Sequence, residues 1–398
     1  MPNSIEIRRT YKYRLYRNDQ RDPYLHKQIN VAGAIWNHAL KLQKRYYKLT
    51  GNYIAAGRLK SHIAYLRMHT QRYAWWKGVG SQSVQAVIER LDAAYQRFFE
   101  RLAKHPPKYK KVRERKSFTL KQAGWKLLVY NQNPPKPNGK FTRARGIIEL
   151  DGIAYKFVQH RPTNGLIKTL TVKRDAVGGL WLCFSVIEQW VLPEPTTPLQ
   201  MAGFDFGLKT FLTDHTGREY TAGLHHLSAL KRLRRLQKRK DKKPHGSQNR
   251  RKAARLIART HIRVTDKRRD EHFKLAHALC DQYDVLCFED LNLDGMKRLW
   301  GRKVSDLAFA KFLSILKHVA LLRGKQVVQI GRFERTTCKC SACKHEQSIS
   351  LKERIFCCAN CGWVIGRDHN AALNILYVGA STYTGLGIVR PASAGCPA

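Results

Sequence analysis

Two Cys-x-x-Cys pairs, Cys340 with Cys343 and Cys358 with Cys361, stand fourteen residues apart. That spacing brings four thiolates to where one tetrahedral Zn²⁺ can take them, as a closed structural site. Gly362, directly after Cys361, supplies the tight turn of a zinc knuckle, and Lys344 holds the same place after Cys343. Cys338 and Cys357 lie one or two residues from the pairs, so a shifted ligand set stays open. The x-x spacing is preferred because it makes a knuckle; six reduced structural thiols are the competing reading.

Three carboxylates offer a second chemistry. Asp205 follows an apolar strand, Glu289 ends another (Val285-Leu286-Cys287-Phe288), and Asp368 opens an amphipathic segment with Ala372, Ile375 and Leu376. They are 84 and 79 residues apart, so only a fold brings them together. An acid within a buried-strand signature is costly unless paired or metal-bound. Three beside a basic groove describe a two-Mg²⁺ site, in which carboxylates bridge hard cations about 4 Å apart for in-line phosphodiester displacement. Singly, each has an ordinary structural role: a turn-forming Asp, a strand-end Glu, a helix cap. Their order and surroundings favour the site.

The charge says what such a site would act on. Lys and Arg number 74 against 29 Asp and Glu, a formal +45 over 398 residues, while 43% apolar content argues for a folded chain. Small-metabolite chemistry needs no such charge; a polyanion does, and nucleic acid is the obvious one. No apolar run reaches spanning length, and the N-terminus lacks a signal-peptide core, so a membrane partner is excluded and the cell interior expected. Clustered cysteines fit metal binding in a reducing compartment, the cytoplasm, and not a disulfide framework.

The elements that must position these groups follow from periodicity. Residues 5–16 alternate as a strand. From Tyr24 to Leu102 the period is helical, punctuated at Gly51-Asn52 and Gly78-Val79-Gly80 into three helices. Most aromatics there belong to a core, with Trp75-Trp76 and Arg72-Tyr73 an alternative base-stacking group. After a basic stretch from Lys104 to Lys116 come strand-like runs at 117–130, 146–158, 166–173 and 180–190, with a turn cluster at Asn131 to Gly139. Strand order alone suggests one β-barrel, with the helical block inserted after its first strand. Leu192 to Pro198 is the best domain boundary. Beyond it the pattern becomes α/β. A helical region over 224–270, broken at Pro244-His245-Gly246, carries 18 Lys/Arg against three Asp and reads as a phosphate track. Helix continues to Asp281; a further helix is expected from Asp306 to Leu322, then a strand at Val327 to Ile330. The tail after Val378, rich in Gly, Ala, Ser and Pro, reads as disordered.

The chain resembles the TnpB family of transposon-encoded RNA-guided nucleases, related to type V CRISPR effectors. The likeness rests on Gly203-Phe204-Asp205-Phe206-Gly207-Leu208, Arg268-Arg269-Asp270, Phe288-Glu289-Asp290-Leu291-Asn292, the cysteine pairs, Arg354-x-Phe356, and Arg367-Asp368-x-Asn370-Ala371-Ala372-x-Asn374-Ile375. Weaker matches are Tyr11 to Tyr16 and Ser117 to Leu120. Phe204, Phe206, His369 and the doubled Cys357-Cys358 depart from the family pattern. The resemblance implies a multidomain α+β chain. A wedge-type β-barrel (1–20 and 105–192) holds a helical recognition insert (21–104). A RuvC nuclease domain of RNase H-like fold (193–335 and 366–378) then carries a zinc-ribbon insertion (336–365), and 379–398 form a disordered tail. It further implies a guide RNA of the ωRNA kind, a double-stranded DNA target beside a short adjacent motif, two Mg²⁺ on Asp205, Glu289 and Asp368, and one Zn²⁺ on Cys340, Cys343, Cys358 and Cys361. Arg354 takes the place of an arginine near the nuclease cleft, suited to a substrate phosphate. The rival is a catalytically silent nucleic-acid-binding protein of a transposon, a repressor or accessory factor. A strand-transferring transposase fits less well, since its acids end with Glu. The sequence sets neither guide, adjacent motif nor oligomeric state.

Overall fold

A computed structural model describes residues 4–130, 144–193, 199–332, 334–350 and 353–383. The turn cluster at Asn131 to Gly139, most of the Leu192 to Pro198 boundary and the tail from 384 lie outside them. The chain forms two compact units, Ile5–Trp190 and the segment from Val191 onward. No helix among the described residues is long and apolar enough to cross a membrane.

In the first unit β1 (Ser4–Leu15) buries Ile7, Tyr11, Tyr13 and Leu15 by strict alternation. The helices α1 (Asp22–Thr50), α2 (Ala56–His69) and α3 (Ser81–Phe99) follow. α1 stops at Gly51, whose φ of 71° lets its N–H reach the Tyr47 carbonyl. A 3-10 turn at Gln71–Gly78 sends Trp76 into the core and leaves Trp75 50% exposed, so of the two tryptophans Trp75 stays open to stacking. Six strands complete the unit: β2 (Ser117–Leu120), β3 (Trp125–Val129), β4 (Ala144–Leu150), β5 (Ile153–Gln159), β6 (Leu166–Arg174) and β7 (Leu180–Val191).

Their sheet order is β2-β6-β7-β1-β5-β4-β3, so β1 joins the later strands across the helical insertion. Trp125 and Phe184 have ring centroids 6.2 Å apart. Four strand steps separate β3 from β7, about 19 Å in a flat sheet, so the sheet curls on itself. The run expected as one strand over 117–130 is two. Gly124, at φ 87°, breaks it, and the halves sit at opposite ends of the sheet order.

The second unit begins with β8 (Met201–Phe206), β9 (Leu212–Asp214), β10 (Glu219–Tyr220), α4 (His225–Asp241) and α5 (Gln248–Gln282). β11 (Val285–Glu289), α6 (Leu293–Leu307), α7 (Phe309–Leu322) and β12 (Gln326–Ile330) come next, then β13 (Ile355–Cys357), β14 (Val364–Gly366) and α8 (Arg367–Thr382). A five-stranded sheet runs β10-β9-β8-β11-β12, with β8, β11 and β12 parallel and β9 antiparallel to β8. Helical crossovers supply the parallel connections and cover the sheet, which is why Val285 to Phe288 is apolar throughout and buried.

The basic helical region is broken around Pro244-His245-Gly246 as expected, between the end of α4 at Asp241 and α5, which Ser247 caps by accepting the Arg250 N–H. Two elements differ from expectation. α6 occupies a stretch assigned no element, and the helix break falls at Ala308 (φ 52°), not before Asp306. Asp306 is buried because its carboxylate accepts the backbone N–H groups of His226 and Leu227 in the first turn of α4. α8 continues past Val378 to Thr382, since Gly379 packs on β11: a Cβ there would lie 2.4 Å from Cys287 Sγ.

The two faces of the five-stranded sheet divide core from chemistry. Phe204 and Phe206 point to the α5–α7 side, where Phe204 stacks on Phe288 at 5.0 Å and Phe206 meets Phe309 at 4.9 Å. The alternate residues, Gly203 and Asp205, therefore face α8. Gly203 is required there: a Cβ would lie 2.2 Å from the Ala372 carbonyl oxygen and 2.5 Å from the Leu376 nitrogen, both backbone atoms. Gly203→Ala is expected to destabilise the unit by about 3 kcal/mol or more, read as a fall in denaturant midpoint. A neutral substitution would contradict this packing.

Candidate active site and four-cysteine centre

Asp205 and Glu289 are placed by strand register. β8 and β11 pair in parallel up to Phe288 against Phe204, so Glu289 stands one step on, level with Asp205 on the adjacent strand. Asp368 arrives from the first turn of α8; a Cβ built on Gly207 would lie 3.8 Å from its Oδ2. The three acids therefore meet where two strand ends face a helix start. Their proximity is visible electrostatically. The Asp205 carboxyl is held well above its usual range, first by desolvation and then by the charges of Asp368 and Glu289. Burial also raises Glu289, although Thr336 Oγ1 donates to its Oε2 at 3.3 Å. Carboxylate oxygens are the donors that hard divalent cations take, but among the described residues the four cysteines alone stand close enough together to hold an ion as they are placed.

Arginines flank Asp368 on both sides. Arg367 brings Nε and Nη2 to Oδ1 at 3.2 and 3.1 Å, while Arg354 Nη1 approaches Oδ2 at 3.7 Å. Arg354 thus lies beside Asp368 and is 56% exposed; Arg367 is 14% exposed.

The cysteines resolve the ambiguity of the doublets. Cys340, Cys343, Cys358 and Cys361 bring their sulfurs within 4.8 Å of one another. Cys340 to Cys361 is 3.8 Å and Cys343 to Cys358 is 3.5 Å. A ZnS₄ tetrahedron with bonds of about 2.3 Å needs edges of about 3.8 Å, so the cluster could hold zinc. Cys357 is exposed and stands outside the cluster, as does Cys338. Both knuckle turns take left-handed backbone, Gly362 at φ 70° and Lys344 at φ 66°. Lys344 reaches back with its ammonium to the Ser341 carbonyl at 2.9 Å.

Comparison with known proteins matches three stretches to family descriptions. Residues 181–299 match the OrfB_IS605 family, described as a probable transposase, residues 309–375 the Cas12f1-like TNB domain, and residues 1–52 a helix-turn-helix domain of OrfB_IS605. A Streptomyces pristinaespiralis protein named "Putative RNA-guided DNA endonuclease" is 29% identical over 393 residues, covering 97% of this chain and 93% of that one. InsQ of Escherichia coli (strain K12), which carries the same description, is 25% identical over 387 residues, covering 93% and 92%. The chain carries domains of the OrfB_IS605 (TnpB) family. Its fold is also that of a Cas12f1 chain solved with sgRNA and target DNA, with a TM-score of 0.51, 14% identity, and 93% and 98% of the two chains covered.

Within the TnpB motif that opens α8, structure assigns work to residues given no role by sequence reasoning. Asn370 and Asn374, one turn apart and buried, grip the segment before the first knuckle. Asn370 donates to the Lys339 carbonyl and accepts the Ser341 N–H, and Asn374 donates to the carbonyls of Thr336 and Lys339. The signal was an i, i+4 pair of amides on an otherwise apolar helix face. His369 bonds the His215 carbonyl at 3.0 Å, tying the start of α8 to the turn between β9 and β10. Gly217 makes room for it, since a Cβ there would lie 2.9 Å from the ring.

Proposed function

We propose that this chain is an RNA-guided DNA endonuclease that cuts guide-matched double-stranded DNA beside a short adjacent motif. The observation that carries the reading is the meeting of Asp205, Glu289 and Asp368 at one joint of a TnpB-family chain. In this reading the curled sheet with its helices is the wedge and recognition part, the five-stranded sheet with α4–α8 is the RuvC nuclease core, and the four-cysteine segment is the zinc-ribbon insertion. The three carboxylates would hold two Mg²⁺, which supply an activated water and neutralise the leaving oxygen in an in-line displacement. Arg354, exposed and held by one long contact, is free to turn to the scissile phosphate. On α4, the exposed Lys231, Arg234, Arg235 and Lys238 would track backbone phosphates without reading sequence, leaving the sequence to guide pairing.

The test starts from protein purified with its RNA, which is sequenced and used to design matched and unmatched duplexes with randomised flanks. Expected are copurifying RNA, poor solubility once it is removed, and cleavage of matched DNA that EDTA stops. A stable, nucleic-acid-free preparation, or equal nicking of matched and unmatched DNA, would reject the reading.

A further inference from the structure

The hairpin that carries the second pair of cysteines has its base at the acid site. β13 and β14 pair from Cys357 with Val364 to Ile355 with Gly366. The ladder then takes one more rung, as the Arg367 N–H donates to the Arg354 carbonyl at 2.8 Å. The residues that flank this hairpin, Arg354 and Arg367, are therefore the two that touch Asp368. They are not equivalent. Arg367 Nη1 donates to the Glu353 carbonyl at 3.0 Å, so both its backbone and its guanidinium are fastened to the two residues that lead into β13. From that anchorage its other nitrogens close on Oδ1 of Asp368, which leaves Oδ2 on the side of Gly207 with the long 3.7 Å approach of Arg354 Nη1.

We propose that Arg367 is a positioning residue: fixed by the base of the cysteine-bearing hairpin, its planar fork holds Asp368 so that Oδ2 is presented to the divalent cation. The inference rests on the two-Mg²⁺ reading above. Lysine at this position keeps the charge but has no fork that can hold a backbone carbonyl and a carboxylate oxygen together. Partners that orient metal ligands typically cost 10–100-fold in metal affinity when replaced.

Full-length protein with its RNA is titrated with Mn²⁺ and free metal is read by electron paramagnetic resonance, for wild type, Arg367→Lys and Asp205→Asn. Melting temperatures are taken without divalent metal, and zinc content is measured alongside. Arg367→Lys is expected to weaken the Asp205-dependent Mn²⁺ site by about 10-fold, with zinc retained and the metal-free melting temperature unchanged. Mn²⁺ affinity within twofold of wild type would overturn the proposal, as would a loss matched by a fall in metal-free stability, which marks a merely structural contact. If Asp205→Asn binds Mn²⁺ as wild type does, the acid-site reading itself fails, and that outcome is distinct from the other two.

Discussion

Asp205→Asn is expected to abolish guided cleavage and yet raise the melting temperature of the metal-free protein at neutral pH. The loss should be on the order of 10³-fold or more, as for removal of a group on which a whole catalytic constellation depends. The gain follows from linkage. The folded carboxyl titrates well above its ordinary 3.8, because burial and the two neighbouring acids disfavour its charge. A raised carboxyl binds its proton more tightly in the folded state, so folding is favoured at acid pH. That advantage is lost as pH rises from 3.8 through the elevated folded value. At neutral pH the folded wild type carries the cost of that disfavoured carboxylate, whether it ionises or takes up a proton, and asparagine does not. A rise of about 2–4 °C corresponds to each kcal/mol relieved in a domain of 150–250 residues. Burial raises Glu289 too, so the variant keeps a weaker slope of the same sign. Thermal melts in EDTA from pH 4 to 8, beside a cleavage assay, check both halves. A variant less stable than wild type at pH 7 would mean that Asp205 makes stabilising contacts instead of bearing electrostatic strain. Divalent metal should raise the melting temperature of the wild type and leave the variant almost unmoved.

Cys358→Ser should have the largest effect on folding. A structural Zn²⁺ contributes roughly 10 kcal/mol or more of apparent folding energy, and among the described residues the segment around these cysteines has a small core of Cys340, Phe356 and Cys358 with a few partly buried neighbours. Expected are loss of bound zinc, a fall in folded yield and protease sensitivity within 336–365. Cys357→Ser should keep one zinc per chain, because Cys357 is exposed and outside the cluster. Full zinc in Cys358→Ser would hand the ligand role back to its neighbour. The damage should not stay local. The hairpin base places Arg354 and Arg367 on Asp368, and the first knuckle is held on α8 by Asn370 and Asn374. A four-cysteine segment that unfolds therefore releases Asp368 and α8 from two sides.

How much of this was legible beforehand depended on the distance along the chain over which each signal acts. Ligand spacing in the cysteine pairs, the period-two burial of β1, the apolar run of β11 and the break at Pro244 are local patterns, and side-chain direction follows from them directly. The acids could be named because each ends or begins an element whose type is locally encoded. The same reasoning failed at 117–130, where a single glycine with positive φ sends the two halves to opposite sheet ends. It also failed at α6, whose buried Asp306 makes sense only as the cap of a helix some eighty residues earlier.

By itself, then, the sequence determined the inventory: which residues can bind hard or soft metals, which faces are apolar, and that the surface demands a polyanion. Only the tertiary structure decided which member of the Cys357-Cys358 doublet joins the cluster, that Asp205 and Glu289 stand level, and that Arg367 and the paired asparagines fasten the four-cysteine segment to α8. Those choices depend on register between segments far apart in the chain. Register is set by close packing, such as Gly203 beneath α8, and packing leaves no periodic trace in the residues it brings together.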